Sequence, residues 1–330
     1  MNKLKKINWK EALFNKWVII VLIVLVICFS FMSPVFATKG NMANLLRSLP
    51  TLGIVTLGLT MLIITGGVDL SCGAIVACSG TVSVALAVKG IHPVICILAG
   101  IATGAACGYF NGYMITRFKL QPFIVTLGAN YLIRGIILVA TKGIFISGLP
   151  SWYYKISNTN ILFNLVYSNT VIFIVLAVIV AFVMKNTCFG RYCYAVGSNK
   201  EASRLSGINV TKHFRRVYLI EGALAGITGI IMMSYLNVGA SSEAVGLEAY
   251  AIAASIIGGT QFGGGIGTIG GAVSGLFTIE VFKNGLAVIG INTYGQQAVT
   301  GLLILIAIVI DYLRKESLFK ITTVKARNKK

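Results

Sequence analysis

Acidic side chains are scarce in this sequence. Asp and Glu number 9 in 330 residues, against 28 Lys and Arg, and Asp69 stands alone between Glu11 and Glu201. Charged residues of both signs make up 11% of the chain, where a soluble domain carries roughly 25%. That argues against a soluble fold. Histidine is almost missing: His92 and His213 are solitary, and each is expected in a loop rather than as a ligand. No G-x-x-x-x-G-K-[ST] phosphate loop, HExxH or G-x-S-x-G motif occurs. P-loop ATP hydrolysis, zincin chemistry and nucleophile-elbow chemistry are therefore not expected. The seven cysteines are Cys28, Cys72, Cys78, Cys96, Cys107, Cys188 and Cys193. They read as small apolar residues, not as a disulfide or metal framework. No catalytic residue, metal or bound cofactor is expected in this chain.

What is present is apolar sequence in long blocks, 56% of residues. Blocks of about 20 apolar residues are long enough to cross a bilayer. Lipid accepts only helices or closed barrels, and the alternation of a barrel strand is absent. The fold class expected is an all-α polytopic membrane protein with about ten transmembrane helices. Their limits are near 17–36, 44–65, 72–88, 92–114, 122–140, 168–184, 217–237, 247–259, 266–284 and 296–313. The basic start "MNKLKKINWKEALFNK" leads into the first block with no small-residue cleavage site, so that block reads as an uncleaved helix.

Net charge is +19, but no nucleic-acid motif accompanies it. The positive residues gather in three segments: 1–16, 185–216 and 314–330. The positive-inside rule makes these cytoplasmic, with both termini inside an even number of spans. Residues 1–330 then form one transmembrane domain. The outer loop 141–167 carries Trp152, Tyr153 and Tyr154, suited to a membrane-water interface.

Two segments carry the functional signals. "IITGGVDLSCG" (63–73) places Asp69 after a glycine pair and just before an apolar run. Ionisable groups inside a membrane are functional suspects. Asp69 has three open readings: a cap for the helix that follows, a contact to a passing solute, or an ion pair with Arg134. "SIIGGTQFGGG" (255–265) echoes that segment, again with a glycine pair at the end of a span. Glu280 and Lys283 stand three apart and can pair. Glu221 is expected near Arg215 and Arg216. Glycines 100, 104, 108 and 112 clear one face of a helix for close packing. In the second segment, "GSNKEASRLSGI" reads as one short amphipathic helix capped by Ser198 or Asn199. Its apolar face is expected to hold Ala202, Leu205 and Ile208.

Five segments together carry a family resemblance: "GGVDLSCGAIVACSG", "LQPFIVTLGANYLIRGI", "GRYCYAVGSNKEASRLSGINV", "LEAYAIAASIIGGTQFGGGIGTIGGAVSGLF" and "NTYGQQAVTGLLILIAIVID". The chain resembles the permease subunits of bacterial ABC sugar importers of the ribose, xylose, galactose and autoinducer-2 type. Cys72 stands where the family often has Val, and "GSNKE" stands where acidic residues are commoner. The resemblance implies a type II-like permease in the bacterial plasma membrane. Two copies, identical or related, would form the pathway. A separate cytoplasmic ATPase would use ATP and Mg, and an extracellular or periplasmic binding protein would deliver the solute. Gly197, Ser198, Asn199, Lys200, Glu201, Ala202, Arg204, Leu205 and Gly207 would form the ATPase-coupling loop. Pathway or helix-break candidates are Gly66, Gly67, Asp69, Ser71, Asn130, Arg134, Gly258, Gly259 and Gln296. The solute would be a monosaccharide, with autoinducer-2, inositol or nucleosides as alternatives. An ion-coupled secondary transporter is the reading from another class, kept open by Asp69, Glu221 and Glu280; export and a membrane-embedded enzyme are weaker.

Overall fold

A computed structural model describes residues 17–292, 294–302, 305 and 309. The expected cytoplasmic segments 1–16 and 314–330, and most of the end of the tenth span, lie outside the described residues.

Apolar length builds the main helices. These are α1 (Trp17–Met32), α2 (Lys39–Ile64), α3 (Cys72–Val88), α4 (Pro93–Phe118) and α5 (Pro122–Thr141). After them come α6 (Ser151–Asn158), a two-stranded hairpin of β1 (Asn160–Leu162) and β2 (Val166–Tyr167), and α7 (Ser168–Asn186). The chain continues through α8 (Cys188–Ser198), α9 (Lys200–Leu205), α10 (Val210–Leu236), α11 (Leu247–Ile257) and α12 (Ile269–Val288). Residues 294–302 are again helical. Among the described residues five helices, α2, α4, α5, α7 and α10, are long and apolar enough to cross a membrane, and α1, α3 and α11 are shorter apolar helices. Proline opens both α4 and α5, where its fixed φ suits the first turn and its missing N–H costs no helical bond. An all-α membrane protein is what these residues build.

The helices α2 and α10 form the centre, with 83% and 72% of their apolar windows buried, against 22% for α4 and α5. The peripheral pair therefore faces lipid or a partner. The glycine face of α4 docks on α10. A Cβ added at Gly104 would overlap the carbonyl oxygen of Gly222, and one at Gly108 would overlap that of Tyr218. The partner face is made the same way: Gly222 and Gly226 lie four apart on α10 and meet Gly104, Gly108 and Gly100. Two backbones thus approach as closely as small-residue helix pairs do in membranes.

Several expectations change. The loop 141–167 is folded, not merely interfacial. Tyr153 is fully buried, because α6 packs on the end of α10. Ser234 Oγ donates to Tyr153 O at 2.7 Å, and Ser157 Oγ donates to Ile231 O at 2.7 Å. His213 is not in a loop. It sits in α10, 4% exposed, against the rings of Phe189 and Tyr192 on α8. "GSNKEASRLSGI" is not one helix: Gly197 and Ser198 end α8, and α9 is a separate turn and a half. The buried residue of α9 is Ser203, while Leu205 is 73% exposed and Ala202 is exposed.

Candidate functional site

The helices α2 and α11 stop in the same way. At the end of α2, the amide of Gly66 bonds Ile63 O at 2.9 Å, and that of Gly67 bonds Leu62 O at 2.9 Å. At the end of α11, Gly259 N bonds Ile256 O at 2.8 Å and Thr260 N bonds Ser255 O at 3.0 Å. Both are Schellman motifs, which need a left-handed residue just past the cap. Gly66 (φ 81°) and Gly259 (φ 88°) supply it. Gly67 and Gly258 pack instead: a Cβ on Gly258 would overlap the carbonyl of Gly271.

The irregular backbone that follows α2 and the irregular backbone that precedes α11 both run alongside α5. Asn130 Nδ2 donates to Leu70 O at 2.8 Å. One turn further, Arg134 Nη1 donates to Glu243 O at 3.0 Å and to Ser241 O at 3.4 Å. Asn130 is eight residues into α5, roughly 12 Å at 1.5 Å per residue, so Leu70 lies well inside the helix layer. Non-helical backbone at that depth is tolerated only where protein groups satisfy it. Spacing of four puts Asn130 and Arg134 on one face, and each serves a different irregular stretch. The first turn of α3 also touches the second stretch, since a Cβ on Gly73 would overlap Ala244 O. Arg134 does not pair with Asp69; its bonds to two carbonyls are on 240–246 instead.

Asp69 is fully buried and faces no open space. Its Oδ1 accepts from Ser71 N and from Ser71 Oγ, both at 2.6 Å. Its Oδ2 accepts from Asn111 Nδ2 at 3.0 Å, and the same amide donates to Ser71 Oγ at 2.8 Å. The N-cap of α3 is Ser71, whose own side chain makes no capping bond. Asp69 therefore does not cap a free N–H of the first turn. It folds the residue before the helix, in an Asx-type turn, and ties it to α4. Asn111 was not among the sequence candidates; its only signal was a lone amide inside the glycine-faced span.

The coupling candidates meet the helix stops directly. Gly197 lies so close to α2 that a Cβ would overlap Ile64 O. A Cβ at Gly264 would stand 3.1 Å from the Cα of Gly197 and 3.1 Å from that of Gly66. Gly265 N bonds Ile64 O at 2.8 Å, and Tyr194 OH donates to Gly267 O at 3.0 Å. Lys200 Nζ lies 5.2 Å from the centre of the Phe214 ring. So α8, the end of α2 and the loop 258–268 form one joint. Asn199 caps α9 by accepting from Ala202 N at 2.9 Å, and Gly207 closes it. Glu201 and Arg204 pair at 2.6 Å on the exposed side. Arg204, by hydrogen bond and charge, holds the Glu201 carboxyl below its ordinary value.

Other candidates lie apart. Gln296 Nε2 donates locally to Ile291 O at 2.8 Å. Glu280 and Lys283 pair at 3.3 Å, with Lys283 4.9 Å from the Tyr250 ring centre. Glu221 is not beside Arg215 and Arg216. Arg215 is taken up by Thr116 Oγ1 (2.6 Å) and the Tyr113 ring, and Glu221 lies within hydrogen-bonding reach of Asp69.

Apolar helices broken by irregular backbone that other protein groups satisfy define a multi-pass helical membrane protein. The comparisons give the family. The profile described as "Branched-chain amino acid transport system / permease component" matches residues 41–308, and the chain belongs to that family. Among curated relatives, the ribose import permease protein RbsC of Bacillus subtilis (strain 168) is 37% identical over 298 residues, 90% of this chain and 91% of that one. RbsC of Escherichia coli (strain K12) is 34% identical, covering 92% of this chain and 95% of its own. The D-allose transport system permease protein AlsC of the same organism is 34% identical, covering 89% and 90%. No solved structure gives a significant match. As a member of a permease family with several spanning helices, the protein is a multi-pass inner-membrane protein.

Proposed function

We propose that this chain is the transmembrane permease subunit of an ATP-driven importer of monosaccharides, ribose-like sugars first among them. The relatives named for ribose and allose support the substrate class. The observation that carries the mechanism is the joint in which α8 and α9 meet the end of α2 and α8 meets the loop that follows α11. The positive charge of 185–216 supports a reading in which this joint and both termini are cytoplasmic, in a single domain of ten spans and type II-like architecture. A separate ATPase docks on the exposed side of α9, through Lys200, Glu201, Arg204 and Leu205, and consumes Mg-ATP there. This chain binds no cofactor of its own. Movement of α8 and α9 carries the two helix ends with it. Gly66, Gly67, Gly258 and Gly259 let those ends turn, and Asn130 and Arg134 hold the irregular stretches to α5.

The opposite face of α5 exposes Ile124, Tyr131, Ile136 and Val139. It suits lipid or a second permease copy, identical or related. A periplasmic or extracellular binding protein delivers sugar at the end that holds α6 and the hairpin. The test is reconstitution in liposomes with the ATPase and binding protein encoded beside it, using labelled ribose, allose and arabinose. Uptake should require ATP and the binding protein. Uptake that survives without ATP and collapses with an ion gradient overturns the reading. A thermal-shift screen of the binding protein against sugars, inositol, nucleosides and autoinducer-2 fixes the solute.

A further inference from the structure

Glu221 is a buried acid that the transport reading does not use. It lies on α10, 1% exposed, and neither carboxyl oxygen has a hydrogen-bond donor among the described residues. On the α2 side it meets backbone: a Cβ at Gly58 would stand 3.2 Å from its Cγ. On the other side it meets the Asp69 carboxyl within hydrogen-bonding reach. The Asp69 oxygens already accept from Ser71 N, Ser71 Oγ and Asn111 Nδ2.

Counting donors shows what is missing. Asn111 Oδ1, on α4 and fully buried, is a third acceptor with no donor. Turning the Asn111 amide over does not help, because its oxygen would then face Asp69 Oδ2 and Ser71 Oγ and remove two bonds. The Tyr218 hydroxyl is spent on Val68 O at 2.7 Å. The other titratable groups near enough to couple to Asp69 are Cys72 of α3, Cys107 of α4 and Glu248 of α11, and among the described residues none of them is cationic. Acceptors exceed donors in a closed space, and buried polar groups are rarely left so. Two carboxylates in contact without a cation cannot both stay ionised.

We propose that the Asp69–Glu221 contact is a proton-binding site: Glu221 carries one proton and donates it to Asp69, leaving one negative charge on the pair. That charge is held by the three donors from Ser71 and Asn111, and the shared proton fastens the start of α3 to the middle of α10. The inference stands whether or not the transported solute is a sugar. The rival occupant of three orphaned oxygens is a monovalent cation such as Na⁺.

The test uses the full chain, purified without sodium, and infrared difference spectra. The wild-type minus Glu221→Gln spectrum should contain the carbonyl stretch of a protonated carboxylic acid. Asp69→Asn, which changes the acceptor of the same proton, should shift that band. Glu221→Gln should melt close to wild type, because its carboxamide also donates to Asp69, and Glu221→Leu should melt lower. A wild-type protein without the band, a band that survives in Glu221→Gln, or a sodium-dependent melting rise lost in Glu221→Gln overturns the proposal.

Discussion

The Gly265 amide bonds the Ile64 carbonyl at 2.8 Å, so the loop that follows α11 is fastened to the last residue of α2. Gly197 of α8 sits on the same carbonyl with no room for a side chain. Three segments far apart in sequence therefore share one carbonyl group, and movement of any one strains the other two.

Gly197→Ala tests that joint. The added methyl group has nowhere to go, and overpacking costs typically about 1–3 kcal/mol. Sugar uptake in liposomes should fall by roughly tenfold or more, the equivalent of about 1.4 kcal/mol. Copurification of the ATPase should persist, because the exposed side of α9 is untouched. Wild-type uptake in this variant would show that the joint transmits nothing.

The Glu201–Arg204 pair separates docking from folding. Both side chains are exposed and bond each other, so exchanging them as Glu201→Arg with Arg204→Glu keeps a pair within the helix. It reverses only the charges shown to a partner. Uptake and ATPase pull-down should both be lost, while membrane insertion and melting temperature stay as in wild type. The pair also has a definite pH sense. Arg204 lowers the value at which Glu201 titrates; a lowered carboxylate contributes above its unfolded value and is lost as pH falls through the folded one. ATPase binding should therefore be flat from neutral to mildly acidic pH and weaken only in strong acid. Retained uptake in the exchanged variant would remove α9 from the docking surface.

Asn130 and Arg134 should behave as holders of backbone. Asn130→Ala leaves the half-buried Leu70 O without its donor, and an unsatisfied carbonyl costs up to about 1–3 kcal/mol when fully buried. Melting of the purified protein should drop accordingly. Arg134→Lys should be milder than Arg134→Ala, since one ammonium can still reach Glu243 O. If Arg134→Ala melts like wild type and only uptake falls, Arg134 is acting on solute rather than on 240–246.

The α4–α10 contact sets a harder limit. Gly104→Val adds a branched side chain whose Cβ alone would overlap Gly222 O. The helices cannot close, and the expected result is loss of the folded protein from membranes, measured by size-exclusion chromatography after solubilisation. Gly128→Val, on the open side of α5 with nothing within 4 Å of an added Cβ, is the matched control and should fold. A folded Gly104→Val protein would mean the two helices can separate freely.

Apolar block length located the long helices α2, α4, α5, α7 and α10, because a bilayer demands about 20 apolar residues in a row; it could not show α6, α8 or α9, which lie in polar sequence. Spacing also exposed the small face of α4. It could not name the partner, since four-residue glycine spacing on α10 says only that a face is small. The outer aromatics misled for a similar reason: Tyr153 looks like an interface residue until α6 is known to dock on Ser234. In α9 the pattern suggested an apolar face on Ala202 and Leu205, yet packing against the rest of the chain buries Ser203. Short helices have too few positions for periodicity to choose a face. The bonds of Asp69 were legible only as a set of alternatives, because Asn111 lies 42 residues away.

The two helix stops bear on how the halves of the chain are compared. In "TGGVD" the residue with positive φ is the first glycine of its pair, and in "IGGTQ" it is the second. Matching the pairs letter for letter shifts everything downstream by one position. Matching Gly66 to Gly259 instead sets Asp69 against Phe262, an exposed aromatic. On that registration, the buried acid of the first half has no acidic counterpart in the second.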